Sequence, residues 1–125
     1  MGLPHPLQMM CLLGVHWLGD FVLQSHWMSM NKSKRLDALA IHVATYTTTL
    51  LLGSGLLFGV DKLGRLALFV GVNGGLHFAT DFVTSKITSR LWDQQREHLF
   101  FVMLGFDQLV HQVTLVATVW LIFPV

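Results

Sequence analysis

The chain has 125 residues, of which 53% are hydrophobic and only 12% charged, with a formal net charge of +1. That length suits one domain, residues 1–125, and the charged fraction is about half the roughly 25% of a soluble domain. So much apolar surface excludes a disordered chain, the lone Cys11 excludes a disulfide scaffold, and the lack of a basic tract excludes nucleic acid as a partner. What remains is an all-α, polytopic integral membrane protein whose first partner is the lipid bilayer.

A spanning helix takes roughly 20 mainly apolar residues at ~1.5 Å rise each. In chain order, the first candidate covers residues 7–30 and is interrupted by Asp20 alone. The second covers 38–60 and contains no Asp, Glu, Lys or Arg. The third covers about 66–88, with Asp81 inside it and Lys86 near its end, and the fourth covers 99–123, interrupted by Asp107 alone. The runs are long and lack the alternation of a membrane β-barrel. Four helices joined by short loops predict an up-down transmembrane bundle. Before the first span, Met1 to Pro6 carries no Lys or Arg, and no small-residue cleavage site follows, so a cleavable signal peptide is not expected. Pro6 also breaks the match to a myristoylation signal.

Basic residues orient the spans. The first and third loops hold Lys32, Lys34, Arg35, Lys86, Arg90 and Arg96, whereas the second holds Lys62 and Arg65 and the termini hold none. The bias predicts both termini outside and the basic loops in the cytoplasm. Gly55 with Gly59, and Gly71 with Gly75, form small-xxx-small pairs that permit close helix approach, including approach to a second copy in a homodimer.

The spans carry polar residues that a bilayer penalises. His16 and Asp20, His77 and Asp81, and Asp107 and His111 are each four apart, so each pair shares a helix face. The second span adds His42. The order reverses to Asp-then-His on the fourth span, which runs the other way, so every Asp lies nearer the cytoplasm and every His deeper. At ~1.5 Å per residue all of them fall roughly 8–21 Å below the cytoplasmic surface. A lone acid at a span centre costs about 2.5–3.5 kcal/mol, so these groups must pair, bind an ion or line water. One inward-facing cluster is predicted, with His16, Asp20, His42, His77, Asp81, Asp107 and His111 as candidate ligands of a divalent metal, zinc foremost. One of Asp20, Asp81 and Asp107 would serve as general base instead, with Lys86 or Arg90 supplying a cation near the mouth. His5, His26 and His98 read as solvated or capping residues. The simplest alternative for the pairs is structural, each His bonding its own Asp.

The pattern His16-x3-Asp20-Phe21-x-Leu23-Gln24-x2-Trp27, then His42, then His77-x3-Asp81-x4-Lys86, then Asp107-Gln108-x2-His111 resembles domain-of-unknown-function family 3307. These are small bacterial and phage integral membrane proteins, and the resemblance implies four spans but no activity. A looser similarity is to the all-helical zinc phospholipase C and P1-nuclease group and to membrane-bound metal-dependent hydrolases, which would make the same seven residues ligands. The soluble enzymes also use their own amino terminus, whereas Met1 is expected on the opposite side of the membrane.

The leading expectation is therefore a metal-dependent hydrolase of a phosphoester or lipid headgroup, open to the cytoplasm. The alternatives are a metal-ion or proton transporter, extended outward through Asn73, Thr47–Thr49 and Ser54, and a non-catalytic interaction protein, with haem ligation by two of the deep histidines as a variant.

Overall fold

The computed structural model describes residues 5–124. Met1, expected outside the cytoplasm, lies outside the described residues. Among those described, all regular structure is helical: α1 Pro6–Trp17, continued by a π-helical segment Leu18–Val22, then α2 His26–Asn31, α3 Leu36–Phe58, α4 Leu63–Asp93 and α5 Glu97–Ile122. Of these, α3, α4 and α5 are long and apolar enough to cross a membrane.

Each boundary has a local cause. Pro6 opens α1, where its missing N–H costs nothing, while the His5 ring accepts from Leu7 N and Gln8 Oε1 accepts from His5 N. The expected first span of 7–30 is corrected here: it is not one helix. Leu23 N bonds to Leu18 O, five residues back, giving the wider π turn that holds Asp20. Helix then stops, and Ser25 starts α2 by accepting from Met28 N. At ~1.5 Å per residue, Pro6–Val22 reaches about 25 Å, short of the ~30 Å hydrocarbon core. The third expected span, 66–88, is longer at both ends. Phe58 ends α3 because Gly59 takes φ 88°, and a Cβ there would meet the Asp61 carboxylate. Arg35 and Asp37 form an exposed fork at the start of α3, and those hydrogen bonds hold the Arg35 guanidinium above its usual pKa.

The helices pack α1 on α3, α3 on α4 and α4 on α5. Asn73–Thr118, Thr84–Asp107 and Asp81–His111 contacts show α4 and α5 running in opposite directions. Leu12, Leu50, Phe69, Leu115 and Val119 fill an apolar core at one end, closed by the Phe58–Phe123 stack at 4.8 Å. Most of the remaining interior is polar, Ala38 and Leu39 apart, and the outside is largely apolar: Leu56 is 89% exposed while His77 and Asp81 are 1% exposed. Such inversion of the usual distribution belongs to a chain solvated by lipid.

Glycines admit the close contacts, but at positions other than the expected pairs. A Cβ on Gly53 would come within 2.6 Å of both Val15 methyls, and one on Gly74 within 2.7 Å of Thr47 Oγ1. Gly71 and Gly75 face open space and Gly59 shapes a turn. Gly53→Leu is therefore expected to cost about 1–3 kcal/mol through overpacking, read as a lower thermal midpoint in detergent. Gly71→Leu should leave that midpoint unchanged.

Candidate metal centre

The π turn, α3, α4 and α5 each bring titratable side chains to one place. Asp20, His42, His77, Asp81, Asp107 and His111 form two overlapping groups that could hold a metal ion: Asp20, His42, His77 and Asp81, and Asp20, Asp107 and His111. His16 adjoins them, its Nε2 3.8 Å from Asp20 Oδ2. All seven candidate ligands are thus buried together.

The two groups differ in what already fills them. In the first, His42 Nε2 lies 3.1 Å from Asp20 Oδ1, 3.1 Å from His77 Nε2 and 3.2 Å from Asp81 Oδ2. His77 Nε2 lies 3.4 Å from the same Asp20 oxygen and 3.6 Å from the same Asp81 oxygen. Ligands ~2.0–2.1 Å from a tetrahedral ion stand about 3.3–3.4 Å apart, and these five distances, from 3.1 to 3.6 Å, bracket that spacing. Hydrogen bonding alone accounts poorly for two imidazole nitrogens facing each other and two acceptors, since each neutral ring has one N–H to offer.

The second group is occupied by protein donors. Gln108 Nε2 donates to Asp20 Oδ2 at 2.8 Å and to Asp107 Oδ2 at 3.1 Å, and Thr84 Oγ1 donates to Asp107 Oδ1 at 2.5 Å. Carboxylates only accept, so the Gln108 amide must point its NH2 at them and its Oε1 at His16 Nε2, 2.9 Å away. His16 is then the Nε2–H tautomer, and the Tyr46 hydroxyl donates to its Nδ1 at 2.9 Å. His111 Nε2 meets Asp81 Oδ1 at 3.0 Å and Asp107 Oδ1 at 3.4 Å. These residues orient the other oxygens of Asp20 and Asp81, as outer partners do around metal ligands. The Nδ1 atoms of His42 and His77 find no hydrogen-bond partner among the described residues. Stacking fixes His77 instead, with Tyr46 at 3.9 Å on one side and His111 at 4.1 Å on the other.

The cation beside the cluster is Lys32, whose Nζ donates to Asp81 Oδ2 at 2.9 Å. Lys86, the cation expected from sequence, sits on the exposed face with its Nζ 3.1 Å from the centre of the Phe82 ring. Three carboxylates against one ammonium leave a deficit of two charges when the imidazoles are neutral, which one divalent ion would cancel. A cavity of about 180 Å³ lined by Asp20, Gln24, Lys32, Asp107 and Gln108 leads to the cluster from the Lys32 end. Sequence reasoning missed Lys32, Tyr46, Thr84 and Gln108 as site residues. Two of them carried a signal: Tyr46 lies four residues after His42, on its helix face, and Gln108 adjoins Asp107.

The family described as a protein of unknown function, DUF3307, has a model that matches residues 8–125, and the chain belongs to that family. No curated protein and no solved structure matches it. The looser similarity to metal-dependent hydrolases is unsupported by these comparisons.

Tyr46→Phe keeps the ring that stacks on His77 and removes the donor to His16. It is expected to cost about 1 kcal/mol, measured by thermal unfolding in detergent. Tyr46→Leu, which also removes the stack, should cost more.

Proposed function

We propose that this DUF3307 protein is a membrane-embedded, metal-dependent hydrolase of a phosphoester. The observation that carries the reading is the near-tetrahedral spacing of Asp20 Oδ1, His42 Nε2, His77 Nε2 and Asp81 Oδ2. Two nitrogens and two oxygens suit a borderline divalent ion such as zinc. In this reading α1 with its π turn is the fourth membrane-inserted element of an up-down bundle. The end carrying Lys32, Lys34 and Arg35 faces the cytoplasm of a bacterial inner membrane, leaving both termini on the other side.

The roles divide by position. Asp20, His42, His77 and Asp81 are the ligands, and His16, Tyr46, Gln108 and His111 hold them in orientation. Asp107 belongs to the group that Gln108 already fills, and it lines the cavity, which makes it the general base. A divalent ion held by Asp20, His42, His77 and Asp81 would supply a water of lowered pKa, whose proton Asp107 is placed to accept. Attack of that oxygen on phosphorus would break the ester P–O bond, and the proton taken by Asp107 would pass to the departing alkoxide, which leaves as an alcohol. Lys32 offsets the charge of the phosphate.

Conduction is the less supported reading, because the polar groups expected to extend a path outward are internally satisfied. Asn73 Nδ2 donates to Phe69 O and Thr118 Oγ1, and Ser54 Oγ donates to Leu50 O. Beyond them lies the apolar core.

Protein purified without nickel exposure is expected to carry one equivalent of divalent metal by inductively coupled plasma mass spectrometry, and His77→Ala with Asp81→Ala to carry none. Asp107→Asn should retain the metal and lose roughly 10²–10⁴-fold of the hydrolysis rate. Activity that survives stringent chelation overturns the reading. In sealed liposomes the ion flux should be flat.

A further inference from the structure

The cavity beside the cluster does not end at Lys32. It shares Ser29, Lys32, Ser85, Thr88 and Phe100 with a second cavity of about 440 Å³, formed where the end of α4 meets the start of α5 and the turn after α2. The second cavity has two kinds of wall. Lys32 and Lys34 outnumber the one carboxylate in the lining, Asp93, and leave it net positive, while Trp92, Phe100 and Phe101 supply an aromatic surface, the rings of Trp92 and Phe100 lying 5.1 Å apart.

Three hydroxyls around the two cavities are committed: Ser29 Oγ donates to His26 O, Thr88 Oγ1 to Ser85 O, and Thr84 Oγ1 to Asp107. Ser85 differs: it is only 7% exposed, lines both cavities, and its Oγ has no hydrogen-bond partner among the described residues. A buried hydroxyl left without a partner costs about 1–3 kcal/mol, which a ligand oxygen at that point would recover. Gln24 Oε1, in the first cavity, is unpartnered as well.

The depth of the cavity indicates what enters it. At ~1.5 Å per residue, α4 extends about 46 Å, well beyond the ~30 Å hydrocarbon core, so at least one of its ends reaches the headgroup layer. Trp92 at the last turn of α4 and the nearby Lys32, Lys34 and Arg90 are interface residues in kind. A pocket at that level with ammonium and hydroxyl groups on one wall and aromatic rings on the other matches a molecule with an anionic head and a hydrocarbon tail.

We infer that the joined cavities bind a phosphorylated lipid, its phosphate between Lys32 and the Ser85 hydroxyl and its acyl chain along Phe100, Phe101 and Trp92. This names the substrate class of the hydrolase proposed above and rests on that reading. The lipid enters sideways from the headgroup layer, which places its phosphoester next to Asp107 and the metal ligands.

Native mass spectrometry of the detergent-purified full chain, with metal content measured on the same sample, tests the inference. The probes are long-chain phosphatidic acid, phosphatidylcholine and inorganic phosphate. Saturable binding of phosphatidic acid is expected, stronger than that of phosphatidylcholine and not displaced by inorganic phosphate. Phe101→Asp, at an exposed position, should weaken it by about tenfold, and Ser85→Ala by several-fold, both with unchanged metal content. Metal retained without saturable lipid binding overturns the lipid site and leaves the metal reading standing. Displacement by inorganic phosphate at similar concentration overturns it in favour of a soluble phosphate ester. Equal binding by Phe101→Asp and Ser85→Ala overturns it in favour of lipid held around the outer surface. Lipid binding by a protein without metal overturns the substrate assignment through failure of the metal reading itself.

Discussion

Two imidazole nitrogens meet at 3.1 Å between the carboxylates of Asp20 and Asp81, and neither carboxylate is more than 3% exposed. Negative charge held this deep in a bundle surrounded by hydrocarbon must be answered nearby, because water is too distant to do it. Several features of the chain serve that requirement. Gln108 answers the second oxygen of Asp20, His111 answers the second oxygen of Asp81, and Gln108 and Thr84 answer Asp107. The oxygens that face His42 and His77 are the ones left to the imidazoles and, at Asp81, to Lys32.

The irregular start of the chain follows from the same requirement. A regular helix through residues 7–30 would carry Lys32 beyond the end of the span. The π turn at Leu18–Val22 and the break before Ser25 interrupt that helix, and Lys32, just after α2, reaches Asp81 on α4. π turns recur at functional sites because one extra residue per turn re-aims a side chain without ending the helix. Here the residue inside it is Asp20. Gly19 beside it lets α3 approach, since a Cβ there would lie 3.1 Å from the Tyr46 ring.

The bundle is polar at one end of its interior and apolar at the other. Leu12, Leu50, Phe69 and Leu115 close the far end, while the near end opens through two cavities that share five residues. In the function proposed above, a site that opens from the Lys32 end and is closed by apolar residues at the other suits chemistry on an amphiphile better than passage of an ion.

Much of this was legible in the sequence. Long apolar runs without strand alternation determined that α3, α4 and α5 are helices of membrane-crossing length. The spacing of four between His16 and Asp20, His77 and Asp81, and Asp107 and His111 determined that each pair shares a face, and the reversed order on the last helix that the pairs meet at one depth. Periodicity acts within one helix, however, and could not assign the partners across helices. Only the tertiary structure decided that Asp81 faces His42 and His77 with one oxygen and His111 with the other, that Gln108 fills the space between Asp20 and Asp107, and that Lys32 rather than Lys86 is the cation at the cluster. Those outcomes depend on helix rotation and on a break near residue 24, both set by packing and by buried charge seeking a partner, which no local spacing encodes.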